Sequence, residues 1–127
     1  MSHLGLVTVV VDDYDDAIAF FVDVLDFELR EDRDEGRKRW VVVAPPGATT
    51  GVLLARADGD AQRARVGDQT GGRVGFFLVT DDFARDHARF VERGVRFLEE
   101  PRHEVYGSVA VFEDLCGNRW DLLEPAG

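Results

Sequence analysis

The chain has 127 residues, of which 25 are acidic and 15 basic, so its formal net charge is −10. Nucleic acid is excluded as a partner, since phosphate binding needs a concentrated basic surface. No apolar run approaches the roughly 20 residues that span a bilayer, and no signal peptide precedes the first predicted strand. The single cysteine, Cys116, excludes an internal disulfide. We expect one cytoplasmic domain that binds neither nucleic acid nor membrane.

The first elements are a strand and an amphipathic helix separated by a short acidic turn. Leu6–Val11 is rich in β-branched residues and has the length of a buried strand. Asp12 or Asp13 then caps a helix, because a short carboxylate accepts the free N–H groups of the first turn. The apolar residues that follow share one helical face: Ala17, Ile18, Phe21, Val22 and Leu25.

The rest of the first half is predicted to be mainly β-structure. Glu28–Lys38 is a charged hairpin region that turns at Gly36. Arg39–Val43 forms a strand that ends before two prolines, and Gly51–Arg56 forms the closing strand. Residues 57–73 lack an apolar period and form a linker, with one helical turn near Asp60–Arg65.

The second half repeats the first. Asp12, Asp13 and Tyr14 recur 69 positions later as Asp81, Asp82 and Phe83, and the offset holds nearly constant into the closing strands. The predicted elements of this half are strand Val74–Val79, helix Phe83–Arg93, and strands Arg96–Glu99, Ser108–Glu113 and Arg119–Glu124.

These features resemble the vicinal oxygen chelate superfamily, which includes glyoxalase I, bleomycin-resistance proteins and extradiol dioxygenases. The resemblance lies in the V-x-D-aromatic helix start, the helix ends LDF and RGV, and the terminal hairpin FEDLCGNRWDLLEP. It implies an α+β fold in one domain, with module one at 4–56, the linker at 57–73 and module two at 74–125. The two βαβββ modules would form a curved mixed sheet around a shared cavity, with helices outside.

Metal-using members of that superfamily take ligands from four strand positions, which fall here on Leu6, Leu54, Val74 and Asp121. Only Asp121 carries a donor atom, and one carboxylate does not hold a divalent metal by itself. We therefore expect no metal and no cofactor. The pattern argues against metal-dependent catalysis and leaves open whether the chain is an enzyme.

Strand alternation predicts which side chains line the cavity. The residues expected there are Leu6, Thr8, Leu54, Arg56, Val74, Phe76, Leu78, Arg119 and Asp121, joined by Trp40 and by Tyr106 in a loop at the cavity mouth. Trp120 is expected to pack under the helices. A mostly apolar lining with a few polar groups is typical of a small-molecule site. Two other interpretations remain: the cavity is filled by its own side chains, or Arg56 and Asp121 form a structural ion pair.

Three functions are compatible with this pattern. The first is a metal-independent, bleomycin-resistance-like homodimer that binds a small, mostly apolar organic molecule, and the acidic composition would suit a cationic drug. The second is a glyoxalase-type lyase or isomerase, with a metal recruited through Asp121, Glu113 or His103, or with metal-independent acid–base chemistry. The third is a non-catalytic structural or regulatory domain.

Overall fold

The computed structural model describes residues 1–127, which divide into two compact units, Met1–Gly67 and Asp68–Gly127. The elements of the first unit are β1 (Leu6–Val11), α1 (Tyr14–Ile18), a π-helical segment (Ala19–Val24), β2 (Glu28–Asp34), β3 (Arg39–Ala44), β4 (Gly51–Arg56) and α2 (Asp60–Arg63). Those of the second are β5 (Val74–Val79), α3 (Phe83–Glu92), β6 (Arg102–Glu104), β7 (Gly107–Glu113) and β8 (Arg119–Pro125).

Each unit contains one four-stranded mixed sheet, and the two sheets have the same topology. The strand orders are β1-β4-β3-β2 and β5-β8-β7-β6. The first and last strands of each unit pair in parallel, as β1 with β4 and β5 with β8. The predicted α+β class, built from two repeated βαβββ motifs, is confirmed.

An aspartate caps the first long helix of each unit. The Asp13 carboxylate accepts the backbone N–H of Asp16 at 2.8 Å, and the Asp82 carboxylate accepts that of Arg85 at 3.0 Å. Of the two predicted caps in the first unit, Asp13 is therefore the one used. The helix that follows becomes π-helical after Ile18, a change that the apolar spacing did not predict.

The predicted strand Arg96–Glu99 is wrong. The chain there runs beside β7, with Leu98 N–H donating to the Val111 carbonyl, and only Phe97 forms a bridge. The Val111 N–H bonds to the Glu99 carboxylate at 3.2 Å instead of to a backbone carbonyl, so the ladder does not continue. The edge strand is β6, in a segment that we predicted to be a loop.

Each sheet has a helix face, which packs against its own unit's helix, and a far face on the other side. In the first sheet the helix face carries Val9, Val11 and Leu54, all with no solvent exposure. Arg39 reaches α1 from the same end of the sheet and forms an ion pair with Asp15 at 2.9 Å. Burial of this apolar layer stabilises the unit.

The helix face of the second sheet is a stack of aromatic rings. Trp120 stacks on Phe76 at 4.7 Å and on Phe112 at 6.0 Å between ring centroids. Phe112 in turn contacts Phe90 of α3 at 5.7 Å. The prediction that Trp120 packs beneath a helix is confirmed.

Candidate functional site

The first sheet places only part of its predicted site residues on one face. Leu6 and Thr8 lie on the far face, where Leu6 is 37% exposed. The prediction that Leu54 faces the same way is wrong, because the register pairs it with Val9 on the helix face. Arg56 likewise pairs with Val11. Paired residues of parallel strands point to the same side of a sheet. The register between strands therefore determines which side a residue faces, which alternation within one strand could not.

In β5 a β-bulge reverses the predicted orientation. Val74 pairs with Arg119, but Phe76 pairs with Trp120, so Gly75 is an extra residue. Phe76 and its neighbour Leu78 therefore lie on the helix face, and their predicted placement in the cavity is wrong. A strand with one extra residue presents the opposite set of side chains beyond that point.

The far face of the second sheet carries large exposed apolar side chains together with charged residues, namely Asp121 and the paired Arg119 and Glu113. Phe77 and Val79 are 62% and 60% exposed. Phe77 pairs with Asp121, and Val79 with Leu123. Val74 and Arg119 pair at the start of the same two strands. An exposed aromatic and aliphatic surface of this kind is typical of an interaction site.

Asp121 is the polar centre of this far face. Its Oδ1 atom is enclosed and accepts no hydrogen bond. Burial raises the pKa of the carboxyl group, while the charge of Arg102 lowers it and that of Glu99 raises it. Neither Asp121 nor Arg56 forms an ion pair. A carboxylate oxygen without a donor is costly to bury, so a bound molecule with an N–H or O–H group would satisfy it.

The residues at the four metal positions do not fit a metal ion. The far-face residues next to Leu54 in β4 are Leu53 and Ala55, and neither side chain has a donor atom for a metal. The second sheet contributes Val74 and Asp121, of which only Asp121 has donor atoms. No three His, Cys, Asp or Glu side chains gather in a group that could hold a metal ion.

The segment around Tyr106, expected to be a loop at the cavity mouth, is a tight hairpin. Val105 and Tyr106 form the turn between β6 and β7, and the Tyr106 carbonyl accepts the Ala126 N–H. The Tyr106 hydroxyl accepts a hydrogen bond from Arg102 at 3.3 Å. His103 lies in β6, with Nδ1 2.9 Å from the Ser108 hydroxyl.

A second candidate site lies where β3 and β4 separate. Their ladder ends at the pair Val41–Leu54, although β3 stays paired with β2 through Arg39 and β4 with β1 through Arg56. Tyr14 lies at this end of the ladder, and its hydroxyl accepts the Arg39 N–H at 3.3 Å. The opening, called the strand-end cleft below, has a volume of about 610 Å³. Its lining includes Tyr14, Trp40 and Asp58, with the cations Arg37, Lys38 and Arg56.

Sequence reasoning missed two of the three unpaired cations of the strand-end cleft, Arg37 and Lys38. Trp40 and Arg56 were singled out as lining residues, but Arg37 and Lys38 were assigned only to a charged hairpin region. The signal was the run Arg37-Lys38-Arg39 directly before an aromatic strand residue, in a chain otherwise dominated by acidic residues.

Comparison with known proteins shows which family the chain belongs to. The model of the Glyoxalase/Bleomycin resistance protein/Dioxygenase superfamily matches residues 3–122. An uncharacterized protein of Shewanella frigidimarina is 52% identical over 125 residues, covering 96% of this chain and 90% of that protein. TnmS3, an antibiotic binding protein from Streptomyces sp. CB03234, is 34% identical with a TM-score of 0.81, covering 99% of this chain and 98% of its own. UcmS2 is 29% identical with a TM-score of 0.85, covering 97% and 98%.

No helix of the chain has the length and apolar character needed to cross a membrane.

Proposed function

We propose that this chain, which belongs to the Glyoxalase/Bleomycin resistance protein/Dioxygenase superfamily, is a metal-independent protein that binds a small, mostly apolar organic molecule. The observation that carries this proposal is the far face of the second sheet. There Phe77 and Val79 are exposed beside the unpartnered Oδ1 of Asp121. Apolar contact would supply affinity, and a donor group on the ligand would be oriented by the carboxylate.

The donor chemistry of the strands supports metal independence. Leucine, valine and alanine offer no lone pair, so the far-face positions that could replace the family's ligands cannot coordinate a cation. The similarity to TnmS3, which is described as an antibiotic binding protein, supports binding of an organic molecule.

We also propose that the chain works as a homodimer. Large apolar side chains on the far faces, including Leu6, Phe77 and Val79, remain exposed in the single chain. A second copy that covers them would bury this surface and enclose the ligand. Sedimentation equilibrium should show a dimer of the 14.2 kDa chain. A monomer at all concentrations would contradict the assembly.

The binding proposal is tested with N-phenyl-1-naphthylamine, a neutral aromatic probe whose amine N–H can donate to Asp121. Protein treated with EDTA should bind it, and added Zn²⁺ or Ni²⁺ should leave the affinity unchanged. F77N should weaken binding about tenfold, because an exposed phenyl contact is lost. V91A, which shortens an exposed α3 residue, is the matched control and should bind like the original protein. Binding that requires metal, or that survives F77N unchanged, would overturn the proposal.

A further inference from the structure

The strand-end cleft is a positively charged cavity in an acidic protein. Arg37, Lys38 and Arg56 line it, yet the chain as a whole has a net charge of −10. None of these three side chains forms an ion pair. Most other arginines are neutralised by a carboxylate, as Arg39 is by Asp32 at 2.8 Å. The cleft therefore brings together cations that the protein itself leaves uncompensated.

The carboxylates near the cleft do not form ion pairs with Arg37, Lys38 or Arg56. Arg39 also lines the cleft, but its hydrogen bonds to Asp32 and Asp15 satisfy it and raise its pKa. Asp58 is the single acidic residue of the lining, and its carboxylate is not within ion-pairing distance of Arg56 or Lys38. Cationic walls with a low-dielectric boundary create a positive potential that concentrates anionic ligands in a cleft.

The aromatic walls offer ring surface rather than polar atoms. The Trp40 indole N–H already donates to the Glu31 carboxylate at 3.2 Å. The Tyr14 hydroxyl is engaged by the Arg39 N–H, and the Arg39 guanidinium lies 5.2 Å from the centre of the Tyr14 ring. Trp40, which is partly exposed, contributes apolar ring area to the cleft, and the buried Tyr14 forms part of its wall.

We propose that the strand-end cleft binds an organic anion, a flat aromatic body bearing a carboxylate, sulfonate or phosphate. The cations Arg37, Lys38 and Arg56 would hold the charged group, and Trp40 would contact the rings. The volume of about 610 Å³ lies within the range of small-molecule sites. This site is separate from the far face of the second sheet and does not rest on the function proposed for it. It also reverses the cationic preference that net charge alone suggested.

The test compares 8-anilinonaphthalene-1-sulfonate with N-phenyl-1-naphthylamine, which share the aromatic body and differ in the sulfonate. Both are titrated against the F77N variant, in which the far-face site is weakened. We expect the sulfonate probe to bind more tightly than the neutral one and to weaken as salt rises. Adding K38Q and R56Q should weaken the sulfonate probe about tenfold and leave the neutral probe unchanged.

R65Q on the same background is the matched control, since Arg65 is exposed and does not line the cleft. It should leave both probes unaffected. Unchanged circular dichroism confirms that the variants remain folded, which the exposure of Lys38 and Arg56 leads us to expect. Equal loss of both probes in the K38Q and R56Q variant, or equal loss in R65Q, would overturn the anion site. Either result would leave the far-face proposal standing, because that proposal is judged by F77N and by the effect of metal on binding of the neutral probe.

Discussion

Truncating adjacent leucines of β4 tests the orientation of that strand. Leu54 has no solvent exposure and pairs with Val9 and Val41, which are equally buried, whereas Leu53 lies on the far face and is partly exposed. L54A should lower the free energy of unfolding by about 3 kcal/mol, because it removes transferred apolar surface and leaves a cavity. L53A should cost about 1 kcal/mol, since less of the side chain is buried.

Urea unfolding at 25 °C measures both variants. With a slope of about 1.5–2 kcal/mol per molar urea, L54A should lower the midpoint by about 1.5–2 M and L53A by about 0.5 M. Coincident midpoints from circular dichroism and tryptophan fluorescence, with an unchanged slope, would establish that stability alone has changed. Equal costs, or a larger cost for L53A, would refute the register and restore the inward placement of Leu54.

Three further predictions concern single positions in the second unit. G107A should destabilise by several kcal/mol, because φ is +148° and a Cβ would overlap the Glu124 carbonyl oxygen; G5A, where no atom lies within 4 Å, should be neutral in the same thermal melt. D114N should cost about 1–3 kcal/mol, since the buried carboxylate accepts three backbone N–H groups and an indole N–H that an amide would oppose. An unchanged melting temperature would contradict that role. D121N should raise the thermal stability of the ligand-free protein at neutral pH, and this gain should disappear at acidic pH. Burial raises the pKa of Asp121, so stability falls as pH rises through the titration of that group. A gain independent of pH would be the contrary result.

The sequence predicted the elements well where local chemistry decides them. Asp13 and Asp82 marked the helix starts, and β1, β4 and β5 have the predicted bounds. These features depend on caps and short apolar runs, which neighbouring residues determine.

The site was predicted less well, because the side of the sheet to which a residue points depends on strand partners that are distant in sequence. Leu54 and Phe76 were placed by counting along one strand, but the pairing of β1 with β4 and the extra residue Gly75 decide their sides. The edge strand was misplaced because a side chain, Glu99, takes the position of a backbone acceptor. No local sequence pattern predicts that a side-chain carboxylate will replace a backbone carbonyl as the hydrogen-bond acceptor.

The extra residue in β5 has a consequence for how this half of the molecule can change over time. If the bulge were lost and Gly75 paired with Trp120, Phe76 would move to the far face and Phe77 beneath the helix, without altering any amino acid. A strand with aromatic residues at both of these positions can tolerate such a slip, since either ring can serve as core or as contact surface. A one-residue shift of the pairing would thus exchange the groups shown to a ligand in a single step, where substitution would require several.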